Sequence, residues 1–154
     1  TRQEMKTIIY ALIALLALVG LSGCTHNDGD IGIWFGTWQV EQLTRDGEVV
    51  PDTYYNPSIA PLYLQFQGEM VATRITSTLH GEYVDFGTWI ENDGTLDISF
   101  PDNDVAYNHL LGSMLASDDT TFHFVITECS SSHVTLTYDN TFWNHHYTLQ
   151  LRKQ

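Results

Sequence analysis

Cations are scarce in this chain. Six Lys and Arg stand against nineteen Asp and Glu, a formal net charge of −13. So acidic a surface argues against nucleic-acid binding, which needs Lys and Arg to neutralise phosphates, and against a charge-based grip on anionic lipid. Cysteine is nearly absent: Cys24 and Cys129 are the only two in 154 residues. That is too few for a disulfide framework or a paired-CxxC zinc site. The prolines are Pro51, Pro57, Pro61 and Pro101, so most of the chain is free to form hydrogen-bonded ladders. The longest apolar run, Ile8 to Leu21, has 14 residues, fewer than the roughly 20 that span a bilayer core. HExxH, a glycine-rich phosphate loop and a nucleophile elbow are all missing.

What is present begins with an address. Arg2 and Lys6 precede the apolar run, and Leu21-Ser22-Gly23-Cys24 closes it with small residues ahead of a cysteine. This three-part layout is that of a secretory signal, with Met5-Lys6-Thr7 as a conventional start. The quartet resembles the lipobox of bacterial lipoproteins. The resemblance implies cleavage before Cys24, whose thiol would carry a diacylglycerol and whose new amino group would be acylated. Several acyl chains hold a membrane far more firmly than one. Asp28 and Asp30 follow, where surface-exported lipoproteins of the Bacteroides group carry acids; a plain polar tether accounts for them equally well. The expected organisation is a signal peptide over 1–23, a flexible acidic tether over 24–32 and one folded domain over 33–154. Without the leader, four cations face eighteen acids, a net charge of −14 over 131 residues. That length suits one domain with a real core.

The folded part reads as short alternating runs. Ile33 to Glu41 opens it, with Gly36 free to take backbone conformations closed to other residues and Trp38 as an apolar plug. Asp46-Gly47 and Asn92-Asp93-Gly94 are tight-turn signals. Residues 51–61, interrupted by proline, make a loop across one end. Leu62, Leu64 and Phe66 share a face, as do Val71, Thr73 and Ile75; Val84, Phe86, Thr88 and Ile90 oppose Tyr83, Asp85, Gly87 and Trp89. Phe35-Gly36-Thr37-Trp38 recurs as Phe86-Gly87-Thr88-Trp89 with poorly matching flanks, which reads as coincidence and shared strand chemistry. Between Asp104 and Ala116 the spacing turns helical, through Tyr107, Leu110, Leu111, Met114 and Leu115, with Asp104 as a cap; a one-sided helix of about two to three turns, packed on or plugging a barrel end, is expected. Phe122, Phe124 and Ile126 then alternate, followed by Val134, Leu136 and Tyr138, a turn at Asp139-Asn140, and Trp143, His145, Tyr147, Leu149 and Leu151. The sum is all-β: an antiparallel barrel of about eight strands with one short helix between strands five and six. Eight strands enclose either a filled interior or room for one small ligand.

Gly36-x-Trp38 at the head of the first strand, the antiparallel meander and a basic residue in the last strand resemble the lipocalin, or wider calycin, pattern. The whole mature chain is similar to compact lipocalin-like lipoproteins of the Bacteroides group. The resemblance implies that Trp38 plugs the closed end and that a basic side chain lies over it, with Arg152 as first candidate and Lys153 as second. Such stacking contributes roughly 0.5–2 kcal/mol. The helix departs from the lipocalin pattern, which places it after the eighth strand.

Residues for chemistry are sparse. His145 and His146 are adjacent on a strand and point to opposite faces. A zinc site from His123 and His145 is a weaker reading than ordinary strand histidines. Asp102, Asn103 and Asp104 lack the spacing of a calcium loop, and Ser130-Ser131-Ser132-His133 lacks a nucleophile elbow. No catalytic residue, metal site or cofactor is therefore expected. With Cys24 lipidated, no disulfide is expected within the monomer, and Cys129 reads as a small hydrophobe near a strand end, with an intermolecular partner or a reactive thiol as the weaker reading. Aromatics are plentiful, and Tyr54, Tyr55, Phe86, Trp89, Tyr107, Leu111 and Met114 are the candidates to line an apolar ligand site. Two functions follow: an outer-membrane lipoprotein, facing the periplasm or the cell exterior, that binds a small apolar molecule; or a structural or interaction lipoprotein with a filled barrel, its protein partner unspecified.

Overall fold

The computed structural model describes residues 32–50, 60–77, 81–100 and 110–154. Among the described residues nine strands and one helix follow in order: β1 (Gly36–Arg45), β2 (Glu48–Val49), β3 (Leu62–Gln67), β4 (Met70–Ser77), β5 (Gly81–Asn92), β6 (Thr95–Ser99), α1 (Leu110–Leu115), β7 (Thr121–Cys129), β8 (His133–Asn140) and β9 (His145–Lys153). Every pairing is antiparallel, and β1 also pairs with β9. The sheet therefore closes on itself, which removes the exposed edges an open meander would carry. β2 is a two-residue strand hairpinned onto the end of β1. The barrel proper has the remaining eight strands, and α1 lies between its fifth and sixth.

Turn chemistry sets the hairpins. Asp46 and Gly47 both take positive φ, 54° and 85°, and Asp93 and Gly94 take 46° and 85°. Two successive left-handed residues give the type I′ turn whose twist matches the strands it joins. Strand ends differ from the sequence reading in two places. β8 runs through Asn140, and β9 begins at His145, so Trp143 lies in the turn between them and not on the inward face.

Alternation fills the interior. Trp38 and Val40 on β1 point inward, and a bulge at Glu41 shifts the phase so that Leu43 continues the inward row. Leu64, Leu96, Ile98, Phe124, Leu136 and Leu149, from five strands, each have zero accessible surface. Side chains without accessible surface border no void large enough for a water molecule. At mid-height the barrel is packed solid.

Candidate functional site

One end of the barrel is closed by tryptophans. Trp34 and Trp38 are fully buried, with ring centroids 5.8 Å apart. The Trp38 indole N–H donates to the Trp34 carbonyl at 2.9 Å, and the Trp34 indole donates to the buried carboxylate of Glu91. Phe66 and Trp89 complete the cluster, 5.2 Å from each other and nearly perpendicular. Trp89 points inward, half-buried, and donates to the Gly68 carbonyl at 2.8 Å. Gly36 opens β1 with φ 109°, a conformation that favours glycine. Both copies of the Phe-Gly-Thr-Trp tetrapeptide thus bring their tryptophans to this end, with Trp34 between them.

The basic partner of Trp38 is Lys153, whose Nζ lies 5.5 Å from the ring centroid and donates to the Ile33 carbonyl at 2.7 Å. The expectation for Arg152 is corrected by register. Trp38 pairs with Lys153 and Gln39 with Arg152 across β1 and β9. Directly opposed residues share a face, so the inward indole brings Lys153 inward and sends Arg152 out. Outside, the Arg152 Nε stands 2.8 Å from Glu41 Oε1.

The opposite end is stoppered by α1. Leu110, Leu111, Met114 and Leu115 are all buried, and the helix packs against β4 and β5. Asp85 of β5 accepts the Leu110 N–H at 2.6 Å. At the other terminus Ala116 takes φ 50°, and Ser117 N–H donates back to the Gly112 carbonyl at 2.9 Å. That is a Schellman-type stop in which alanine occupies the position glycine usually fills. Asn140 of β8 donates to the carbonyls of Leu115 and Ala116 at 2.9 and 2.8 Å. The Tyr138 hydroxyl lies 2.8 Å from Ser117 Oγ and 2.7 Å from Asp119 Oδ2. Burial, with the Asp119 carboxylate, pushes the Tyr138 phenol up to about 12.

The expected ligand-lining residues do not converge. Leu111 and Met114 are part of the stopper, and Trp89 belongs to the tryptophan cluster at the far end. Phe86 is 68% exposed on the outer wall. Gly87, Trp89 and Glu91 take the inward positions of β5, which sends Val84, Phe86, Thr88 and Ile90 out. A Cβ at Gly87 would come within 2.4 Å of the Ser99 carbonyl oxygen, so a glycine is what lets the chain pass there. Tyr54, Tyr55 and Tyr107, the Asp104 cap and Cys24 lie outside the described residues.

The histidines sit in separate pairs with acids. His123 Nδ1 is 2.8 Å from Asp97, His145 Nδ1 2.7 Å from Asp46, and His146 Nδ1 2.6 Å from Asp139. His123 and His145 lie on β7 and β9 with β8 between them. Among the described residues no three His, Cys, Asp or Glu gather as a metal ion would require. Asp46 also accepts the His146 backbone N–H, and that bond, followed by the one to His145, holds its carboxyl below the usual value. Cys129 ends β7, half-buried against the core. It is disulfide-bonded and not a free thiol, which departs from the expected small hydrophobe. The chain's other cysteine is Cys24.

Sequence reasoning overlooked Trp34 and Glu91 at the closed end, and Phe142 and Trp143 at the other. For Trp34 the signal was its place four residues before Trp38. For Phe142 and Trp143 no signal separated an exposed pair from a continued strand.

A closed eight-stranded antiparallel barrel, tryptophan-plugged at one end with a cation over the indole, is a lipocalin-like fold. It is similar to a lipocalin-like protein from Bacteroides uniformis, with a TM-score of 0.60 at 18% identity over 80% of this chain and 100% of that one. It is also similar to an uncharacterized protein from Bacteroides eggerthii, with a TM-score of 0.58 at 17% identity over 79% of this chain and 99% of that one. No family model matches the chain, and no curated protein matches it.

Proposed function

We propose that the protein is a membrane-anchored lipoprotein that acts through the outer surface of a filled lipocalin-like barrel, as a non-catalytic interaction module. The observation that carries this reading is the packed mid-height layer, where Leu64, Ile98, Phe124, Leu136 and Leu149 have no accessible surface. Ligand pockets of drug-like size occupy several hundred cubic ångströms, and a layer packed to zero exposure leaves no such volume. The outer wall, by contrast, carries large apolar side chains, among them Phe86, Ile90, Phe142 and Trp143.

Anchoring would run through acyl chains on Cys24, at the outer membrane, with the domain facing the periplasm or the exterior. From Cys24 to residue 32 the chain reaches at most roughly 30 Å, and residue 33 enters at the tryptophan-plugged end. That end would sit nearest the bilayer, with α1 facing away from it. A thioether at Cys24 and a disulfide from Cys24 to Cys129 exclude each other, so lipidation requires Cys129 to be reduced or bonded to another molecule. The mature protein should enter the detergent phase on extraction, and Cys24→Ser should move it to the aqueous phase. An unchanged partition would remove the anchor from the account.

A second reading, binding of a small apolar molecule with a polar head, is favoured by Thr73. Its side chain is buried in the barrel wall, and its Oγ1 has no hydrogen-bond partner among the described residues. Displacement of α1, six residues long, would open the interior near that hydroxyl. Solvent extraction of protein purified from its own cell envelope separates the two readings. An empty extract supports the filled barrel; one equivalent of a released small molecule supports the ligand.

A further inference from the structure

We propose that the β8–β9 turn, with Phe142 and Trp143 at its tip, is a docking site for a basic segment of a partner protein, an inference that rests on the surface-acting reading above. Phe142 is 81% exposed and Trp143 55% exposed. Their rings pack edge to face with centroids 4.9 Å apart, so each supports the other while leaving aromatic surface open.

The turn is braced. Asn140, itself buried, accepts the Trp143 N–H at 3.1 Å while its amide group holds the last carbonyls of α1. Asn144 takes a left-handed φ of 56°. A turn fixed in this way holds two large apolar side chains in water, and much of the ordering cost of binding is already met. Bare aromatic faces offered from a rigid turn are the anchors found at the centres of protein interfaces.

Charge selects the partner. Asp139, bonded to His146 Nδ1, lies next to the turn on β8; Asp118 and Asp119, the latter bonded to the Tyr138 hydroxyl, follow the helix that Asn140 ties to it; Asp46, bonded to His145 Nδ1, and Glu48 border the neighbouring hairpin. The described cations of this end are Arg45 and Arg74, and Arg74 is engaged by Glu82 at 3.7 Å and by the Tyr63 ring at 5.5 Å. An aromatic pair rimmed by carboxylates suits Lys or Arg. The cation is attracted by the ring face, the aliphatic stem packs on it and the head reaches the acids. The same rim repels anionic headgroups. A second copy of a chain carrying −13 would bring like charge to like.

The test is an NMR titration of the mature chain carrying Cys24→Ser. The probes are a short alternating Arg-Ser peptide and its Glu-Ser counterpart. The expected result is that the basic peptide alone shifts the amides of 118–119 and 139–146. Phe142→Ser with Trp143→Ser should then weaken binding about tenfold or more while the urea midpoint stays unchanged. Four results overturn the site: no binding, shifts scattered over the acidic surface, affinity that survives the double substitution, or Trp143 emission that responds to phosphatidylcholine vesicles and not to the peptide. None of them touches the surface-acting reading, which fails instead if the solvent extract holds one equivalent of ligand.

Discussion

Lys153 and Arg152 are neighbours in sequence with opposite fates, and the difference is measurable. Lys153 stacks on a buried indole and caps the Ile33 carbonyl; Arg152 makes one exposed ion pair with Glu41. Lys153→Ala should cost about 1–2 kcal/mol in urea unfolding, and Arg152→Ala under about 1 kcal/mol. Equal losses would contradict the assignment. The resemblance to lipocalins implied that a cation belongs over Trp38. Which of two adjacent cations does so is a question of register, and register was legible only once strands β1 and β9 were paired. Tyr138 gives a second test. Its phenol titrates near 12 in the folded state against an ordinary 10.0, so the folded protein holds that proton more tightly than the unfolded chain. The associated stability is complete below pH 10 and lost as pH rises toward 12. Tyr138→Phe should flatten the fall in stability over that window, as followed by denaturant melts at alkaline pH. A slope identical to that of the unsubstituted protein would sink the assignment.

Elements were legible to the extent that they obey local chemistry. Asp46-Gly47 and Asp93-Gly94 announced their turns because a type I′ turn needs two positive φ values and few residue pairs supply them. The bulges at Glu41 and between Ile126 and Glu128 were not legible. A single inserted residue reverses the inward phase without any compositional mark. The helix was found from its apolar spacing. Its packing on or into a barrel end was expected too, but whether it seals that end or frames an open mouth was not legible, since the same spacing suits both. Its C-terminus offers a direct check. Ala116 pays a left-handed conformation that L-residues adopt at a cost of about 1–2 kcal/mol and glycine does not. Ala116→Gly should raise the unfolding free energy by about 1 kcal/mol, measured by urea or thermal melts. A loss of stability would mean that the Schellman-type stop is misassigned.

At the scale of the whole molecule, the barrel has two plugged ends and a packed middle. The tryptophan cluster closes the end where the chain enters, α1 closes the other, and large apolar side chains remain on the outside. The aromatic richness of the sequence suggested a lined cavity. The aromatics of the described residues are instead placed at the closed end, in the core and on the exterior, a division that composition does not reveal. The central claim is that the interior holds no usable void, and xenon under pressure tests it most directly, because the gas settles into dry apolar cavities. Crystals of the mature chain should show no xenon between Leu64, Ile98, Phe124 and Leu136. A row of xenon atoms along the barrel axis would contradict the account and restore a ligand to the interior.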